Sequence, residues 1–563
     1  MAKQIVFNHN ARSRMMRGIN KLAQAVEVTL GASGPSVVIQ HRTDGVGPVV
    51  TRDGVTVAQA ITLPDIIEDV GARMLRDVAG AVSRAAGDGT TTSIVLARSL
   101  ARGCEKSMVA GANPVDLKKG MELAVECLSN EMRRTAIRTQ DRDIFRKVCR
   151  SASKEDDSVA DLLIDAIEAV GNDGVVSFEL GYTHDDELEI TDGSRFAQGY
   201  LSSYFNTDKE RNLAELDQPY ILLYDREVTD FMDLVPLLEN AQDQRRPLLV
   251  IAENITEEAL APLLLNHVRG NFKVVAVKPP GFGDGRSERL LDLAIMTGGR
   301  ACLEVQGDTL EKMTLADLGQ AQRVVVSAES TLIIGCRGDA QRIEDRIAQL
   351  TLDADRIRAR KPGEGSPTGN RHDLENLEER IAFLRSKTAV YRVGGLNDMT
   401  IKERMVRVEN AYNSVRAAMD EGVMAGGGVG LLHIRRALDR LRFDNADLRR
   451  GVEIVEEALY EPLRCIAHNA GMNPESVLAK VLMHDDGVYG YDVAARTYGS
   501  LLEAGILDPV KVARLALQNA AGIVSTVMTT EAIVCQEPVL KRFPNTAQIA
   551  EWAAATREDP RAP

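Results

Sequence analysis

The sequence predicts a multidomain protein with a mixed α+β and α/β fold, in which two helix-rich ends flank a mixed centre. A chain of 563 residues exceeds what one hydrophobic core usually supports, so two to four domains are expected. Ile19, Leu22 and Val26 recur at helical spacing, and the pattern is helical again from about residue 400 onward. The centre contains short apolar runs of the kind found in parallel strands joined by helices: ILLYD (221–225), PLLVIAE (247–253) and FKVVAVKPP (272–280).

Composition and charge argue against several classes of protein. The net charge of −14 argues against a nucleic-acid binder that relies on a broad basic surface. The N-terminus lacks the apolar core of a signal peptide, and no run approaches the roughly 20 apolar residues of a membrane span. The 7 cysteines are scattered and never form CxxC, which favours free thiols in a reducing cytoplasm over a disulfide or zinc scaffold. We therefore expect a cytoplasmic protein that binds neither nucleic acid nor membrane.

The most informative local sequence is GDGTTT (87–92). Glycines let backbone amides approach a phosphate, threonine hydroxyls add donors, and a neighbouring aspartate can hold Mg²⁺. An ordinary turn before a Thr-capped helix would look similar, so this string alone leaves both interpretations open. The chain contains no Gly-Lys dipeptide, which excludes a P-loop.

Other loop-like segments could contribute to the same site. They are TLGASG (29–34), TRDG (51–54), GGG (426–428) and the acidic positions Asp492 and Asp508. A phosphate site built from both chain ends would make the terminal regions one domain. GFGDGR (281–286) imitates a dinucleotide fingerprint, but its GxGxG spacing favours an ordinary loop and disfavours a dinucleotide-dependent enzyme.

Longer strings carry a family resemblance. They include RSRMMRGINKLAQAVEVTLG, TRDGVTVA, AAGDGTTTSIVLA, NPVDLKKG, GYLSSYF, KPPGFGDGR, GVMAGGGVGLL and GILDPVKV, in the order found in GroEL-type chaperonins. From about residue 2 to 537 the chain resembles this family. The resemblance implies a helical equatorial ATPase domain (1–134 and 421–537), a small intermediate domain (135–191 and 389–420), an apical α/β domain (192–388) and a tail (538–563).

The resemblance also implies a nucleotide site for ATP and Mg²⁺. Asp88 matches the Mg²⁺ ligand, Asp53 matches an aspartate near the γ-phosphate, and both Asp53 and Asn410 occupy catalytic positions. The remaining nucleotide-binding positions are Thr29, Leu30, Gly31, Ala32, Arg52, Gly89, Thr90, Thr91, Thr92, Gly427, Asp492, Val493, Ala494 and Asp508. Some depart from the family pattern: Ala32 replaces a proline, Arg52 a lysine and Asp492 an asparagine.

An apolar groove in the apical region is implied in the same way. Non-native chains share only exposed hydrophobic surface, so an exposed apolar stripe can bind them generally. The matching positions are Tyr200, Tyr204, Phe205, Val235, Leu238, Leu260, Leu264 and Leu265. The alternative for each is a helix face buried in the apical core. Pro262 falls inside the second groove helix and could bend or shorten it.

The departure with the largest chemical consequence is Asn410. The family normally has an aspartate here that positions the attacking water, and an amide cannot accept a proton as a carboxylate does. We therefore expect ATP binding with slow hydrolysis, Asp53 providing residual activity. A compensating acid such as Glu409 is the alternative.

The resemblance implies an ATP-dependent chaperonin that promotes folding of non-native polypeptides inside a ring-shaped cavity. Its expected partners are unfolded or misfolded proteins, a GroES-type cochaperonin and further copies of itself. These copies would form a homo-oligomeric ring, seven-membered and in some members stacked in pairs. The alternative is a nearly non-hydrolysing holding or scaffold chaperonin that uses ATP as a conformational ligand.

Overall fold

The chain divides into two compact units. A computed structural model describes residues 3–40, 48–139, 141–153, 157–171, 174–181, 183–208, 211–281, 284–358, 367–484 and 486–536. Unit 1 comprises Met1–Asp157 with Arg407–Pro563, and unit 2 comprises Ser158–Val406. Both chain ends thus belong to unit 1. The three-domain division stays a prediction, since the two units share the segments expected to form the intermediate domain. The expected tail (538–563) lies outside the described residues.

Unit 1 is mainly helical. Its helices are α1 (Asn8–Glu27), α2 (Gly54–Ala60), α3 (Ile66–Ala86), α4 (Thr90–Val109), α5 (Pro114–Thr135), α6 (Arg142–Ser153), α14 (Val429–Ile434), α15 (Ala446–Ala458), α16 (Glu461–Asn469), α17 (Pro474–Leu482) and α18 (Val510–Met528). Its strands are β1 (Lys3–Phe7), β2 (Val37–Ile39), β3 (Val49–Thr51), β16 (Val423–Ala425), β17 (Tyr489–Asp492), β18 (Thr497–Ser500), β19 (Leu507–Pro509) and β20 (Ala532–Gln536). Helix α13 (Asp398–Glu421) contributes to both units.

Helices α1 and α3 pack at very close range in the core of unit 1. A Cβ on Gly18 would lie 1.8 Å from the Glu68 carbonyl oxygen, and one on Gly71 would lie 2.2 Å from that of Met15. Only glycine permits this approach. The Glu68 carboxylate also forms ion pairs with Arg17 Nε (2.9 Å) and Lys21 Nζ (2.6 Å), so opposite charges link the two helices. Side chains of α4, α5, α15 and α18 complete this aliphatic core.

Unit 2 is an α/β unit. Its helices are α7 (Asp157–Val170), α8 (Val235–Asp243), α9 (Glu257–Val268), α10 (Asp284–Thr297), α11 (Ala340–Arg358) and α12 (Pro367–Arg385). Its strands are β4 (Val175–Leu180), β5 (Glu187–Phe196), β6 (Ala214–Asp217), β7 (Tyr220–Tyr224), β8 (Glu227–Val228), β9 (Leu248–Ile251), β10 (Asn254–Ile255), β11 (Val274–Val277), β12 (Ala301–Cys302), β13 (Gly319–Val326), β14 (Thr331–Cys336) and β15 (Lys387–Val393).

The strands of unit 2 form a mixed sheet in the order β11-β9-β7-β13-β14-β5-β15-β4. The parallel strands β7, β9 and β11 coincide with the three apolar runs, so the predicted mixed α/β centre is confirmed. These strands are buried on both faces because side chains such as Leu222, Val250 and Val275 are inaccessible to solvent. Helix α9 runs through Pro262 without ending, so the proline does not shorten it there. No helix in the described part of the chain is long and apolar enough to cross a membrane.

Candidate functional sites

The GDG sequence forms the turn between α3 and α4. Gly87 (φ 72°) ends α3 and Gly89 (φ 82°) begins α4, so both are in the left-handed region that favours glycine. A Cβ on Gly87 would lie 2.1 Å from that of Asn413, and one on Gly89 would lie 2.5 Å from Val512 Cγ1. The turn can hold Asp88 at the N-terminus of α4 only with glycine on either side.

Asp88 is held by hydrogen bonds at both carboxylate oxygens. Its Oδ1 accepts from the Gly89 backbone amide (2.6 Å), and its Oδ2 accepts from the Ser414 hydroxyl (3.3 Å). Burial raises the pKa of Asp88, and the nearby charge of Asp53 raises it further, whereas both hydrogen bonds lower it. The carboxylate is therefore fixed in position, while its negative charge lacks a cationic partner among these groups.

Asp508 lies beside the same turn. It is in β19, which pairs with β16 so that Asp508 faces Met424, and a Cβ on Gly426 would lie 3.1 Å from Asp508 Oδ1. Burial raises the pKa of Asp508 to about 7, and the charge of Asp88 contributes in the same direction. The two carboxyl groups come from opposite ends of the chain, and a cation between them would relieve their repulsion.

The first loop, TLGA (29–32), meets the start of α4. Thr29 Oγ1 lies 3.5 Å from Thr91 Oγ1 and donates to the Val26 carbonyl (2.8 Å). Gly31 has φ 87°. Asn469 Nδ2 donates to the carbonyls of Glu27 and Leu30, both at 2.9 Å. Leu30 and Ala32 thus belong to a loop that is tied down within a few ångströms of the GDGTTT segment.

The TRDG loop approaches from another side. A Cβ on Gly54 would lie 2.3 Å from Thr91 Oγ1, so this loop packs directly on α4. Asp53 caps α2, because its Oδ2 accepts from the Thr56 amide (2.8 Å) and hydroxyl (2.6 Å). Arg52 is exposed and donates to Ser36 Oγ (3.2 Å). Asp53 therefore has a structural role as a helix cap in addition to any catalytic one.

The GGG loop and the β17–β18 hairpin form another side of the candidate site. Gly427 (φ 63°) leads into α14, and a Cβ there would meet only Leu501 Cδ1 at 3.6 Å. Asp492 closes the β17–β18 turn, since its Oδ1 accepts from the amides of Ala494 (2.8 Å) and Ala495 (3.0 Å). Val493 packs on the same apolar cluster as Leu501. The glycine loop and the hairpin are consequently neighbours.

Helix α13 contains Asn410 one turn before the residue that contacts Asp88. Asn410 lies four residues before Ser414, the residue that donates to Asp88, so the two share one helical face. Sequence reasoning singled out Asn410 but missed Ser414, Asn413 and Asn469. The i+3 and i+4 positions of VENAYNS could have identified the first two, whereas no local pattern marks Asn469.

These residues fit a nucleotide with Mg²⁺. The cradle consists of glycines that a side chain would block, three threonines in the first turn of α4 and a helix N-terminus, which favours an anion. Within the described ranges, no group of three or more His, Cys, Asp and Glu side chains is arranged to hold a metal ion. Mg²⁺ is commonly held by one or two carboxylates together with phosphates and water, so a single ligand such as Asp88 suits it.

The expected groove of unit 2 lies on α8, α9 and the short 3₁₀ turns Ser203–Phe205 and Phe231–Asp233. Tyr204 is 70% exposed and Leu265 49%. Tyr200, Val235, Leu238, Leu260 and Leu264 are half-buried. Two further residues, Met232 (65% exposed) and Val268 (63%), extend the apolar surface and were missed. Val268 follows Leu265 by three residues, a spacing that could have revealed it.

Phe205 differs from the other groove positions. Its ring is fully buried and packs edge-on against His267, with ring centroids 5.6 Å apart. The interpretation of Phe205 as a surface residue of the groove is therefore wrong, and the alternative of a buried core position applies to it. Its short 3₁₀ turn points successive side chains to different sides, so Tyr204 is exposed while Phe205 packs against α9.

Comparison with known proteins gives a consistent result. Residues 22–538 match the model of the TCP-1/cpn60 chaperonin family. The chain is 52% identical over 562 residues to chaperonin GroEL 3 of Methylococcus capsulatus, covering 100% of both chains. Two crystal forms of the chaperonin gp146 from the bacteriophage EL 2 (Pseudomonas aeruginosa), both in the presence of ATP-BeFx, resemble its fold with TM-scores of 0.64 and 0.61. In both, identity is 21%, with 95% of this chain and 99% of the other covered.

The family match spans most of the chain, and the curated relative matches over its full length. GroEL-type chaperonins are ring-forming, nucleotide-binding ATPases that bind unfolded proteins and assist their folding. The chain therefore belongs to the TCP-1/cpn60 chaperonin family and is a chaperonin ATPase of the GroEL type.

Proposed function

We propose that this chaperonin binds ATP with Mg²⁺ in unit 1 and uses it to promote folding of non-native polypeptides inside a cytoplasmic ring. The observation that supports this most directly is the position of Asp88. It is fixed between two left-handed glycines at a helix N-terminus and faces a second carboxyl group, Asp508. Such an arrangement suits a phosphate–magnesium complex, because the hydrogen bonds from Gly89 and Ser414 fix the Asp88 carboxylate without neutralising its charge.

Each wall of the site has a distinct role in this proposal. Asp88 holds Mg²⁺, the backbone of GDGTTT and of the TLGA loop surrounds the phosphates, and Asp508 lies by the ribose. Arg52 is exposed on the TRDG loop, which forms the side of the proposed site nearest solvent. The hairpin residues Asp492, Val493 and Ala494, together with Gly427, surround the base. When bound, the metal supplies charge neutralisation at the phosphates.

Asn410 sets the rate of hydrolysis in this proposal. Its amide lies on the helical face that Ser414 presents to Asp88, so it can orient a water molecule by hydrogen bonding. It cannot take the proton of that water, because an amide is not a base near neutral pH. Asp53 remains as a carboxylate near the site, although its hydrogen bonds to Thr56 already use one of its oxygens.

The substitution Asn410→Asp tests this role. We expect ATP affinity to stay the same and steady-state turnover to rise by about a hundredfold to ten-thousandfold, the range typical of a positioned general base. Turnover is measured by phosphate release and affinity by calorimetry on the assembled protein. Ordinary turnover in the natural protein, unchanged by the substitution, contradicts the proposal.

Glu409 provides the matched comparison because it is the alternative acid on the same helix turn. If Glu409 supplies the base, Glu409→Gln abolishes turnover in the natural protein and Asn410→Asp adds little. If Asn410 limits the rate, Glu409→Gln leaves the slow turnover unchanged.

A second candidate is a holding or scaffold chaperonin in which ATP acts as a conformational ligand. The observation that favours it is the same amide at position 410. Refolding of a denatured client with ATP and with a non-hydrolysable analogue separates the two. Equal yields favour the scaffold, whereas a yield that requires hydrolysis favours the folding machine.

Clients bind, in this proposal, to the apolar groove of unit 2. The exposed side chains of Tyr204, Met232, Leu265 and Val268 provide the contact surface, and the half-buried residues between them form its floor. A GroES-type cochaperonin would offer an apolar loop to the same groove. Competition between a denatured client and the cochaperonin tests this directly.

The ring is proposed to be seven-membered, either single or stacked in pairs. Two small sheets of unit 1, β1–β20 and β2–β3, expose apolar side chains suited to contact with a neighbouring copy, namely Ile5, Phe7, Val38, Val50 and Val534. Native mass spectrometry counts the subunits. A mass corresponding to a number other than seven or fourteen copies contradicts this part of the proposal.

A further inference from the structure

Carboxylates border the apolar groove of unit 2 at one end. We call this group the acidic rim; it consists of Asp230, Asp233, Glu257, Glu258 and Glu311. Asp230 accepts from the amide of the exposed Met232 (2.8 Å). Thr256, which precedes Glu257, donates to the Thr229 carbonyl (3.1 Å), so the start of α9 lies beside Asp230.

The rim carboxylates have no ion-pair partner among the residues that the structure describes. Burial raises the pKa of Asp233, and the like charges of Asp230 and Glu311 raise it further. Asp233 is thus close enough to both Asp230 and Glu311 for like charges to repel. This uncompensated charge borders exposed apolar surface.

Local structure explains only part of the rim. Asp230 caps a 3₁₀ turn, while Glu257 and Glu258 stabilise the N-terminus of α9 through the helix dipole. Asp233 also lies just before the N-terminus of α8, whereas Glu311 belongs to a three-residue 3₁₀ turn, which has too few aligned peptide units for a comparable dipole. The like charges of Asp233 and Glu311 also repel each other, and a cation carried by a partner at the groove would relieve that repulsion.

Basic groups near the groove are fewer than the carboxylates, and one of them, the exposed Lys278, follows Val277, which pairs with Tyr200. The segment 230–243 contains no lysine or arginine. On α9, His267 uses Nδ1 to accept from the Val274 amide, and burial lowers its pKa, which disfavours its charged form. Arg269 follows the opposite end of α9, and Lys312 is the one cation next to Glu311 in sequence. The groove is therefore polarised, with negative charge concentrated at the start of α9.

We infer that the groove selects apolar polypeptide segments that carry lysine or arginine at one end, the apolar side chains covering Met232, Leu265 and Val268 while the cations pair with the acidic rim. The inference rests on the proposed function of the groove and specifies its substrate class. Charge complementarity of this kind contributes mainly to selectivity and to the rate of association.

Three fluorescent peptides with one apolar sequence test the inference. They end in three lysines, three serines or three glutamates, and their affinity for the assembled full-length protein is measured by anisotropy without nucleotide. We expect the lysine peptide to bind about fivefold tighter than the serine peptide and the glutamate peptide to bind weakest. The order should collapse at about 0.5 M salt, where exposed charges are screened.

A paired variant locates the effect. Asp233→Asn with Glu311→Gln should remove most of the preference for lysine while leaving the serine peptide unaffected. The control is Glu344→Gln with Asp345→Asn, which removes the same charge from exposed positions on α11, a helix that packs against α12. Equal loss of preference in both variants would mean that net charge, rather than the rim, is responsible.

The outcomes separate the inference from the function beneath it. If all three peptides bind equally and Leu265→Ser weakens all three, the groove binds polypeptides but the rim does not select them, and the inference is wrong. If none of the three peptides binds, the proposed role of the groove in client binding is wrong, and so is the inference that rests on it. Preference for lysine that only the rim variant abolishes supports both.

Discussion

The two candidate sites use opposite solutions for binding. In unit 1, the positions around Asp88 are set by backbone geometry, and three added methyl groups, on Gly54, Gly87 and Gly89, would collide with neighbouring atoms at 2.1–2.5 Å. In unit 2, the groove offers exposed apolar side chains with few polar contacts. A ligand of fixed shape requires the first design, whereas partners of variable sequence require the second.

Tyr204 and Phe205, which are adjacent in the sequence of unit 2, differ in the same way: the first is exposed for binding and the second is packed in the core. Phe205→Ala should reduce the free energy of unfolding by about 3–5 kcal/mol, because it empties a fully buried site in the core. Tyr204→Ala, at a position 70% exposed, should cost less than about 1 kcal/mol. Chemical denaturation of the assembled protein measures both.

The two variants, Tyr204→Ala and Phe205→Ala, should also differ in function. Tyr204→Ala should weaken capture of a denatured client several-fold while leaving ATP turnover intact. Similar stability losses in both variants would show that Tyr204 is packed, which would break the distinction between groove and core.

Gly87→Ala tests the rigid design of unit 1. The new methyl would be 2.1 Å from Asn413 Cβ in a left-handed conformation, so the turn must shift, at a cost of about 1–3 kcal/mol. We expect ATP affinity to fall about tenfold to a hundredfold while client capture without nucleotide persists. Gly111→Ala is the control, since Gly111 also has positive φ (97°) but nothing lies within 4 Å of an added Cβ. Equal losses in both variants would attribute the effect to backbone strain alone.

Charge pairing between α1 and α3 gives a smaller, pH-dependent effect. Hydrogen bonds from Lys21 and Arg17 lower the pKa of Glu68 below its ordinary value of 4.5. The stabilisation is therefore present above pH 4.5 and is lost as the pH falls through the lowered pKa. Glu68→Gln should cost about 1–2 kcal/mol at pH 7 and progressively less below pH 4.5. A cost that does not vary with pH would show that these ion pairs contribute nothing.

Sequence patterns predicted the main architecture because hydrophobic periodicity is local. The apolar runs gave β7, β9 and β11, and the GDG string correctly indicated a turn before a helix. The resemblance supplied the distant members of the site. What remained hidden depends on tertiary contact: Ser414 meets Asp88 across 326 positions of sequence, and Asn469 ties down a loop 439 residues away.

The missed burial of Phe205 has a related cause. Tyr204 and Phe205 have similar side chains, and only the orientation of a three-residue 3₁₀ turn decides which one is buried. The acidic rim was hidden for the same reason, since Asp233 and Glu311 are neighbours only in the folded unit. Composition and spacing contain no trace of that proximity.

The most direct test of the account compares ATP turnover with client capture in Asp88→Asn. The substitution keeps the shape of the side chain and removes the charge proposed to hold Mg²⁺. Our account predicts that Mg²⁺-dependent ATP hydrolysis is lost, while capture of a denatured client in the absence of nucleotide matches that of the natural protein. Hydrolysis that continues at the natural rate would contradict the assignment of Asp88 and of the nucleotide site in unit 1.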